Sequence, residues 1–363
     1  MSNEQDVGKV ACQFQIGGEF RSATRYGSGH INDTYLVVFE QGGARARFIV
    51  QRINHGIFKN PAALMENIQR VTTHLAAQAA GEAESERRVL TLISARDGRA
   101  WHVDEEGNYW RAYRFIEGAR TYDAVESTEQ AFQAAKAFGR FQQMLASLPA
   151  PRLHETIPDF HNTPKRFRAL EEAITADAAG RARLTGREIE FALTRKSMAG
   201  VLLEAKLPER VTHNDTKFSN VLLDDATGEG ICVVDLDTVM PGLALYDFGD
   251  MVRTTTSPAV EDERDLSRVT MQFAMFEALV RGYLQSAGRF LTKAEKQHLA
   301  FSGKLITFEQ GIRFLTDYLA GDTYYKVQRE GQNLDRCRTQ FKLIESIEEQ
   351  EDKMERLVEA IVH

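Results

Sequence analysis

Three polar side chains between residues 213 and 237 combine a candidate proton acceptor with two candidate metal ligands. Asp215 comes two residues after His213, Asn220 lies five residues beyond Asp215, and Asp235 ends an apolar run. In phosphoryl transfer, an aspartate orients and deprotonates the attacking hydroxyl, an asparagine five residues later binds magnesium, and a second aspartate bridges the metal to the phosphates. The order and spacing therefore predict phosphoryl transfer from ATP, with Asp215 as the catalytic base and Asn220 and Asp235 as Mg2+ ligands.

Two short apolar runs would bring the metal ligands together on one hairpin. Residues 221–223 and 231–234 have the composition of strands and are separated by the turn-rich segment 225–230. A hairpin of these runs would carry Asn220 at its entrance and Asp235 at its exit, so that one magnesium ion could contact both. Each of these residues alone is more commonly a turn or cap residue, and only the ordered set indicates chemistry.

The first third of the chain has the pattern of a β-rich lobe. Short β-like runs such as 34–39 and 48–50 alternate with glycines and polar turns. One helix interrupts them, which we predict Asn60 caps and Pro61 begins. The run 110–118 is interpreted as the last strand of this lobe, passing into a hinge at 111–118. We therefore predict a nucleotide-binding lobe over residues 1–117.

Helical patterns dominate the rest of the chain, residues 118–363. Ser127 and Thr292 are predicted to begin helices, the latter with a capping box. From Gln340, apolar residues recur among many charges, which predicts one long amphipathic helix. The predicted fold class is α+β, with a small antiparallel sheet followed by a larger, mainly helical lobe that carries the catalytic loop and the acceptor site. The cleft between such lobes is the expected nucleotide site.

Composition excludes several other classes of function. The chain has 363 residues, of which 43% are hydrophobic and 27% charged, with a formal net charge of -7. This charge, without a basic stripe, predicts no nucleic-acid partner. No segment has the apolar length needed to cross a bilayer, and the N-terminus is polar and acidic. The three cysteines are widely spaced, which suits a reducing compartment. We therefore expect a cytoplasmic protein that acts on a neutral or cationic small molecule.

The motifs resemble those of the aminoglycoside phosphotransferase and choline kinase superfamily, whose fold is protein-kinase-like. Within it, the chain is most similar to the bacterial N-acetylhexosamine 1-kinases. The resemblance implies ATP and Mg2+ as cofactors and the anomeric hydroxyl of an N-acetylhexosamine as phosphoryl acceptor. The similar strings are at residues 26–32, 211–220, 235–242, 247–250, 311–315 and 317–319.

The nucleotide contacts are predicted on a glycine loop, a strand and the hinge. Glycine lets the backbone approach phosphate oxygens closely, which makes Gly27 and Gly29 candidates, although a plain hairpin turn is an equally simple interpretation. Related kinases carry a phosphate-binding lysine on the third strand, but residues 48–54 contain none. Gln51 or Arg52 could replace it, and strand alternation directs only one of them toward the nucleotide. The hinge candidates are Phe115 and Glu117.

The acceptor contacts are predicted mainly from the resemblance. It implies that His30, Arg313 and Tyr324 lie at the hexosamine, together with Asp215. The segment 311–325 does supply a guanidinium, carboxylates and aromatic rings, which are the groups a sugar pocket uses. Three further residues are given supporting roles: His213 beneath the catalytic loop, Lys217 near the transferring phosphoryl group, and Asp237 behind the metal. Asp247 and Asp250 are interpreted as structural.

Two alternatives remain open at this point. A kinase of another hydroxyl compound, such as an aminoglycoside, choline or homoserine, would keep the same ATP machinery and change only the acceptor pocket. A nucleotide-binding pseudokinase is the alternative from another class. The complete set of Asp215, Asn220 and Asp235 speaks against it, whereas the missing strand lysine is in its favour. The sequence leaves the preferred hexosamine and the oligomeric state undetermined.

Overall fold

The computed structural model describes residues 4–27 and 31–362, which divide into two compact units. The first unit comprises the described residues of Met1–Asp123, together with Ser147–Ile157 and Val221–Met240. The second comprises Ala124–Ala146, Pro158–Asn220 and Pro241–His363, as far as these are described. Within the described residues, every helix is too short or too polar to span a bilayer.

The first unit contains an antiparallel sheet, with six strands in the part of the chain that the structure describes. In chain order the strands are β1 (Glu19–Arg25), β2 (Asp33–Gln41), β3 (Ala44–Arg52), β4 (Leu92–Ile93), β5 (His102–Val103) and β6 (Tyr109–Arg114). Their spatial order is β1-β2-β3-β6-β4, and β5 pairs with β6. Residues of β2 alternate between buried and half-buried positions, as one face of the sheet packs on the core.

Two helices belong to this unit, as far as it is described: Glu4–Ala11 and Pro61–Gln78. Asn60 caps the second helix by accepting a hydrogen bond from the Ala63 N–H at 3.1 Å, and Pro61 is its first residue. Its buried face includes Leu64, Ile68, Val71 and Leu75. The predicted cap and start of this helix are therefore confirmed.

The predicted hairpin is also present. Val221–Asp224 pairs antiparallel with Gly230–Val233, with Val221 opposite Val233. Ala119–Arg120 adds a third short strand along Val221–Asp224. The hairpin thus belongs to the first unit, and Asp235 comes two residues after its second strand.

The second unit is mainly helical. Its helix Leu299–Leu319 packs on Ala244–Thr255 closely enough that a Cβ added at Gly249 would lie 2.4 Å from the Ser302 carbonyl oxygen. Short strands Arg210–Thr212 and Met240–Gly242 form a two-stranded ribbon. The remaining α-helices are Thr128–Leu145, Thr163–Ala176, Gly186–Thr194, Val201–Glu204, Phe273–Ala287, Lys293–Gln297, Gln332–Glu348 and Glu351–Val362.

The helix signals of this unit are largely confirmed. Ser127 caps the helix Thr128–Leu145, and Thr292 forms the predicted capping box with Glu295. The prediction of one long terminal helix from Gln340 is wrong. A helix already begins at Gln332 and ends at Glu348, and a second runs over Glu351–Val362. Apolar periodicity continues through the break at 349–350, so the sequence pattern does not register it.

Candidate active site

The catalytic loop joins the strand Arg210–Thr212 to a single turn of 3-10 helix at Phe218–Asn220. The Asp215 carboxylate lies half-buried, and Lys217 Nζ is 2.9 Å from its Oδ1 and 3.1 Å from its Oδ2. Asn220 Nδ2 donates to the Asp215 carbonyl oxygen at 2.8 Å. Three residues that the sequence placed in the site are therefore in contact within the second unit.

Asp215 and Lys217 are both ionised at neutral pH. Burial raises the pKa of Asp215, but the charge and hydrogen bond of Lys217 and the charge of Arg253 lower it below its ordinary value. The charge of Asp215 raises the pKa of Lys217, more than burial lowers it. Asp215 is thus a carboxylate that can accept a hydrogen bond or a proton from a hydroxyl group.

Buried carboxylates hold the backbone of this loop. Asp247 accepts from the N–H of His213 at 2.9 Å and of Asn214 at 2.7 Å, and Asp250 accepts from the N–H of Thr216 at 2.9 Å. Both carboxylates are nearly inaccessible to solvent. Their contacts support the interpretation of Asp247 and Asp250 as structural residues.

His213 is fully buried and packs against the aromatic rings of Phe138 and Phe141, at centroid distances of 5.4 and 5.8 Å. Its Nδ1 accepts from the N–H of Asp215 at 3.3 Å. These contacts agree with a supporting role beneath the loop.

A buried histidine and glutamate, which the sequence did not indicate, support the loop from another side. His161 Nδ1 lies 2.8 Å from Glu309 Oε1, and its Nε2 lies 3.2 Å from the Asn214 carbonyl oxygen. The imidazole thus links the Glu309 carboxylate to the backbone of the catalytic loop. Asn214 has a left-handed backbone, with φ of 65°. The His161–Glu309 pair therefore holds a strained residue directly before Asp215.

The predicted acceptor residues Arg313 and Tyr324 lie in this same unit. Arg313 projects from the helix Leu299–Leu319, and its guanidinium carbon lies 5.2 Å from the ring centroid of Phe160 and 5.8 Å from that of Tyr325. Tyr324 is 64% exposed, and its ring lies against Tyr325 at 4.9 Å. Phe160 precedes His161, so the aromatic cluster is continuous with the support of the catalytic loop.

Asp317 fixes the segment that carries Tyr324. It accepts from the N–H groups of Thr323, Tyr324 and Tyr325 at 2.9, 2.8 and 2.9 Å. Asn333 Nδ2 also donates to it at 2.9 Å. Asp317 therefore has a structural role. Its carboxylate is occupied by these hydrogen bonds and is not an acceptor for the Arg313 guanidinium.

In the first unit, Asp235 and Asp237 have different environments although only one residue separates them. Asp235 is exposed and has a left-handed backbone with φ of 59°. Asp237 is 3% exposed, and its carboxylate is in an ion pair with Arg111 and accepts from Asn32 Nδ2 at 2.5 Å. Thr156 Oγ1 donates to the Asp237 carbonyl at 2.9 Å. The contacts of Asp237 thus stabilise the turn on which Asp235 lies.

Arg111 is the buried cation that sequence reasoning missed. It lies on β6, is 1% exposed, and its Nε donates to Gln51 Oε1 at 2.9 Å. Burial opposes its charge, but Asp237 and Asp235 raise its pKa above the ordinary value. The run 110–115 contains two arginines among apolar and aromatic residues, Arg111 and Arg114, and the structure buries the first and exposes the second.

The two strand residues proposed to replace a lysine face different partners. Gln51 Nε2 donates to Thr34 Oγ1 at 2.9 Å, and its oxygen accepts from Arg111. Arg52 Nε donates to Asp33 Oδ2 at 2.9 Å, in a half-buried ion pair. Of the two residues, Gln51 is therefore the one connected to Asp237, because Arg111 contacts both.

The hinge candidates are held by arginines. The guanidinium of Arg47 lies 4.2 Å from the ring centroid of Phe115 and forms an ion pair with Glu117, whose carbonyl accepts from Arg87 Nε at 3.0 Å. Gly27 has a left-handed φ of 77°, with open space at its Cβ position. The candidates Gly29 and His30 lie outside the described residues.

Comparisons with solved structures identify the fold. An aminoglycoside phosphotransferase from Alicyclobacillus acidocaldarius is 12% identical, with a TM-score of 0.65 over 97% of this chain and 96% of that one. A spectinomycin phosphotransferase, solved with ADP and spectinomycin, is 11% identical, with a TM-score of 0.61 over 95% and 97% of the two chains. A microcompartment-associated aminopropanol kinase is 17% identical, with a TM-score of 0.56 over 97% and 98%. At these identities the likeness establishes the fold, and the predicted protein-kinase-like class is confirmed.

The family follows from a match along most of the chain. Residues 22–287 match the phosphotransferase enzyme family APH. This range contains the first sheet apart from the start of β1, the catalytic loop with Asp215 and Asn220, and the hairpin that leads to Asp235. The chain belongs to the APH phosphotransferase enzyme family.

Proposed function

We propose that this protein is a kinase that transfers the γ-phosphoryl group of ATP to the anomeric hydroxyl of N-acetylglucosamine or N-acetylgalactosamine. Membership of a phosphotransferase family supports the phosphoryl transfer. The observation that supports a sugar as the acceptor is the position of Arg313. Its half-buried guanidinium lies near the rings of Phe160 and Tyr325, in the unit that contains Asp215. Planar donors and aromatic surfaces are the groups that bind the hydroxyl and carbonyl oxygens and the apolar face of a sugar ring.

Asp215 is the proposed catalytic base. It orients the anomeric hydroxyl by accepting its hydrogen bond and takes its proton as the bond to phosphorus forms. Because the transition state is loose, the proton leaves late and a carboxylate of low pKa suffices. Lys217 neutralises part of the Asp215 charge before substrate binds, and we propose that it then faces the negative charge of the transferring phosphoryl group.

Asn220 and Asp235 are the proposed magnesium ligands, and their chemistry fits this metal. Asn220 Nδ2 donates to the Asp215 carbonyl, which leaves the amide oxygen as a hard ligand atom. Asp235 offers an exposed carboxylate. When bound, magnesium neutralises the charge that develops between the β- and γ-phosphates. Asp237 keeps its supporting role, because Arg111 and Asn32 already engage its carboxylate.

The remaining contacts are proposed from the sequence motifs. The nucleotide would be bound by the glycine loop, the strand β3 and the hinge, and the acceptor by His30, Asp215, Arg313 and Tyr324. The proposed nucleotide contacts are Gly27, Gly29, Gln51, Arg52, Phe115 and Glu117.

The test is ATP consumption with Mg2+ across N-acetylglucosamine, N-acetylgalactosamine, their parent sugars, choline and an aminoglycoside. Phosphorus NMR of the product locates the new ester. We expect preferential formation of a 1-phosphate from an N-acetylhexosamine. Turnover only of another acceptor, or an ester elsewhere on the ring, would discard the hexosamine assignment and keep the kinase. ATP binding without turnover on any acceptor would favour the pseudokinase.

The role of Asp215 is tested by Asp215→Asn, with Asp225→Asn in the exposed hairpin turn as the matched control. Loss of the base should lower kcat by about a hundredfold or more and leave the affinity for ATP almost unchanged. The control should keep the turnover of the parent protein. Unaltered turnover of Asp215→Asn would remove this residue from the role of base.

A further inference from the structure

Two arginines meet at the aromatic cluster beside the catalytic loop. Arg166 lies on the helix Thr163–Ala176, and its Nε and Nη2 donate to the Phe160 carbonyl oxygen at 3.3 and 3.0 Å. Arg313 covers the ring of the same phenylalanine at 5.2 Å. Each side chain is half-buried, and each lies within electrostatic range of the other. Two positive charges are therefore brought together at the proposed acceptor site.

Neither guanidinium forms an ion pair with a carboxylate among the described residues. Arg313 Nη1 donates to Gln310 Oε1, a neutral amide, at 3.1 Å. Glu309 is near both arginines, but its two oxygens accept from His161 and Thr163, at 2.8 and 2.7 Å. Burial and the charge of Arg313 lower the pKa of Arg166 below its ordinary value.

This arrangement differs from that of other half-buried arginines in the second unit. Arg181 is paired with Asp322 at 2.6 Å, and Arg195 with Glu348 at 2.7 Å. Partly desolvated charges are normally compensated by a partner, because an uncompensated one destabilises the fold. Two neighbouring arginines that lack such a partner suggest that a ligand supplies the oxygens.

The chemistry of the pair specifies what that ligand can be. A guanidinium has only N–H donors, so it binds carbonyl, hydroxyl or carboxylate oxygens and offers nothing to an ammonium group. Arg253, a further cation within range of Arg313, adds to the repulsion of an ammonium group, and Glu309 offsets part of it. Burial raises the pKa of the Tyr325 phenol, so this neighbouring group is uncharged at neutral pH.

We propose that Arg166 is a specificity-determining residue, which together with Arg313 admits neutral or anionic, oxygen-rich acceptors and rejects acceptors that carry an ammonium group. The inference rests on the proposed function in one respect, namely that this cluster holds the acceptor. It does not require the acceptor to be a hexosamine. Like-charge contacts of this kind discriminate against the wrong partner more than they strengthen binding of the right one.

The test uses acceptor pairs of which only one member carries an ammonium group. They are N-acetylglucosamine and glucosamine, propane-1,2-diol and 1-amino-2-propanol, and 3,3-dimethylbutanol and choline. At about pH 6.5 the amino groups of glucosamine and 1-amino-2-propanol are protonated, and choline is permanently charged. The variants are Arg166→Gln, which removes the charge, and Arg166→Lys, which keeps it. Arg168→Gln is the matched control, since Arg168 is exposed on the same helix.

For whichever pair is turned over, the parent protein should favour the uncharged member in kcat/KM by about tenfold or more. Arg166→Gln should reduce that preference by about tenfold, mainly through KM for the cationic member, whereas Arg166→Lys and Arg168→Gln should retain it. An unchanged preference in Arg166→Gln would overturn the inference. A preference of the parent protein for the ammonium-bearing member would also overturn the inference, and this result does not depend on whether Arg166→Gln folds.

Failure of the inference can be told apart from failure of the proposed function. Turnover of uncharged acceptors other than hexosamines, with the preference abolished in Arg166→Gln, would refute the hexosamine assignment and support the charge selection. Turnover of N-acetylglucosamine with the same preference in parent and variant would support the hexosamine assignment and refute the charge selection.

Discussion

Two arginine–aspartate pairs, whose arginines lie on the same sheet, allow a direct test of how burial determines the contribution of an ion pair to stability. Arg111 and Asp237 are 1% and 4% exposed at their side chains, whereas Arg52 and Asp33 are 31% and 23% exposed. Asp33 has a second partner in Arg25, at 2.6 Å. We predict that Arg111→Met destabilises the first unit far more than Arg52→Met does.

The magnitude follows from what each substitution leaves behind. Arg111→Met leaves the Asp237 carboxylate buried with only Asn32 as a side-chain donor among its observed partners, and breaking such a pair costs about 3–5 kcal/mol. Arg52→Met leaves Asp33 paired with Arg25 and in partial contact with water, so the expected cost is about 0–1 kcal/mol. With an m-value of roughly 2 kcal/mol per molar urea, the midpoints should fall by about 1.5–2.5 M and by less than about 0.5 M respectively.

Urea unfolding followed by tryptophan fluorescence is the appropriate assay. The protein has two tryptophans, Trp101 and Trp110, and both lie in the first unit. Trp110 is buried next to Arg111 in β6, so its emission reports the unfolding of the sheet in question. The signal therefore isolates this unit from the helical one, which a global probe would not do.

Equal midpoint shifts for the two variants would refute the reasoning. The double variant Arg111→Met/Asp237→Asn provides a second check, because it removes the uncompensated charge and keeps an acceptor for Asn32. It should recover most of the loss. Persistence of the full loss would show that packing of the arginine stem, and not the unpaired carboxylate, accounts for the effect.

Three further predictions concern other parts of the molecule. Burial raises the pKa of Glu309, but the charge and hydrogen bond of His161 lower it below the ordinary value. The ionised Glu309 therefore contributes to stability above about pH 4.3, and this contribution is lost as the pH falls through the folded-state pKa. Glu309→Gln should therefore lower the free energy of unfolding at pH 7, with the difference from the parent protein shrinking in acid titrations, and a constant difference would contradict this. Gly249→Ala should destabilise by about 1–3 kcal/mol in thermal unfolding, since its Cβ would lie 2.4 Å from a backbone oxygen, whereas Gly186→Ala, with no atom within 4 Å, should not. In the native protein a thiol reagent should modify Cys12, which is half-buried, and spare the two buried cysteines, and reaction at all three without denaturant would contradict their burial.

The local chemistry of the sequence determined much of the secondary structure and of the catalytic loop. The cap at Asn60, the start at Pro61 and the capping box at Thr292 depend on residues within one helical turn, and the structure contains all of them. The hairpin between residues 221 and 233 was equally readable, because a turn between two apolar runs leaves few other pairings. The contacts among Asp215, Lys217 and Asn220 are also local, since five residues separate the first from the last.

The sequence did not predict the features that depend on tertiary packing and not on the local residue pattern. Apolar periodicity predicted one helix from Gln340, but the chain breaks at 349–350 and resumes as Glu351–Val362. Strand alternation does not distinguish Gln51 from Arg52, and only the tertiary structure gives them different partners, Arg111 for one and Asp33 for the other. Neither outcome has a signal within a few residues of the site concerned.

The charged contacts that matter most for the proposed function were decided by tertiary structure alone. Arg111 and Asp237 are 126 residues apart, and His161 and Glu309 are 148 apart. An arginine in a strand, or on the flank of an amphipathic helix, reads as a surface residue until the pairing of strands and the packing of helices bury it. The sequence therefore specified which groups could perform phosphoryl transfer, and packing determined which charges support them. The physical reason is that a charge is stable in the interior only beside the partner that the fold brings to it.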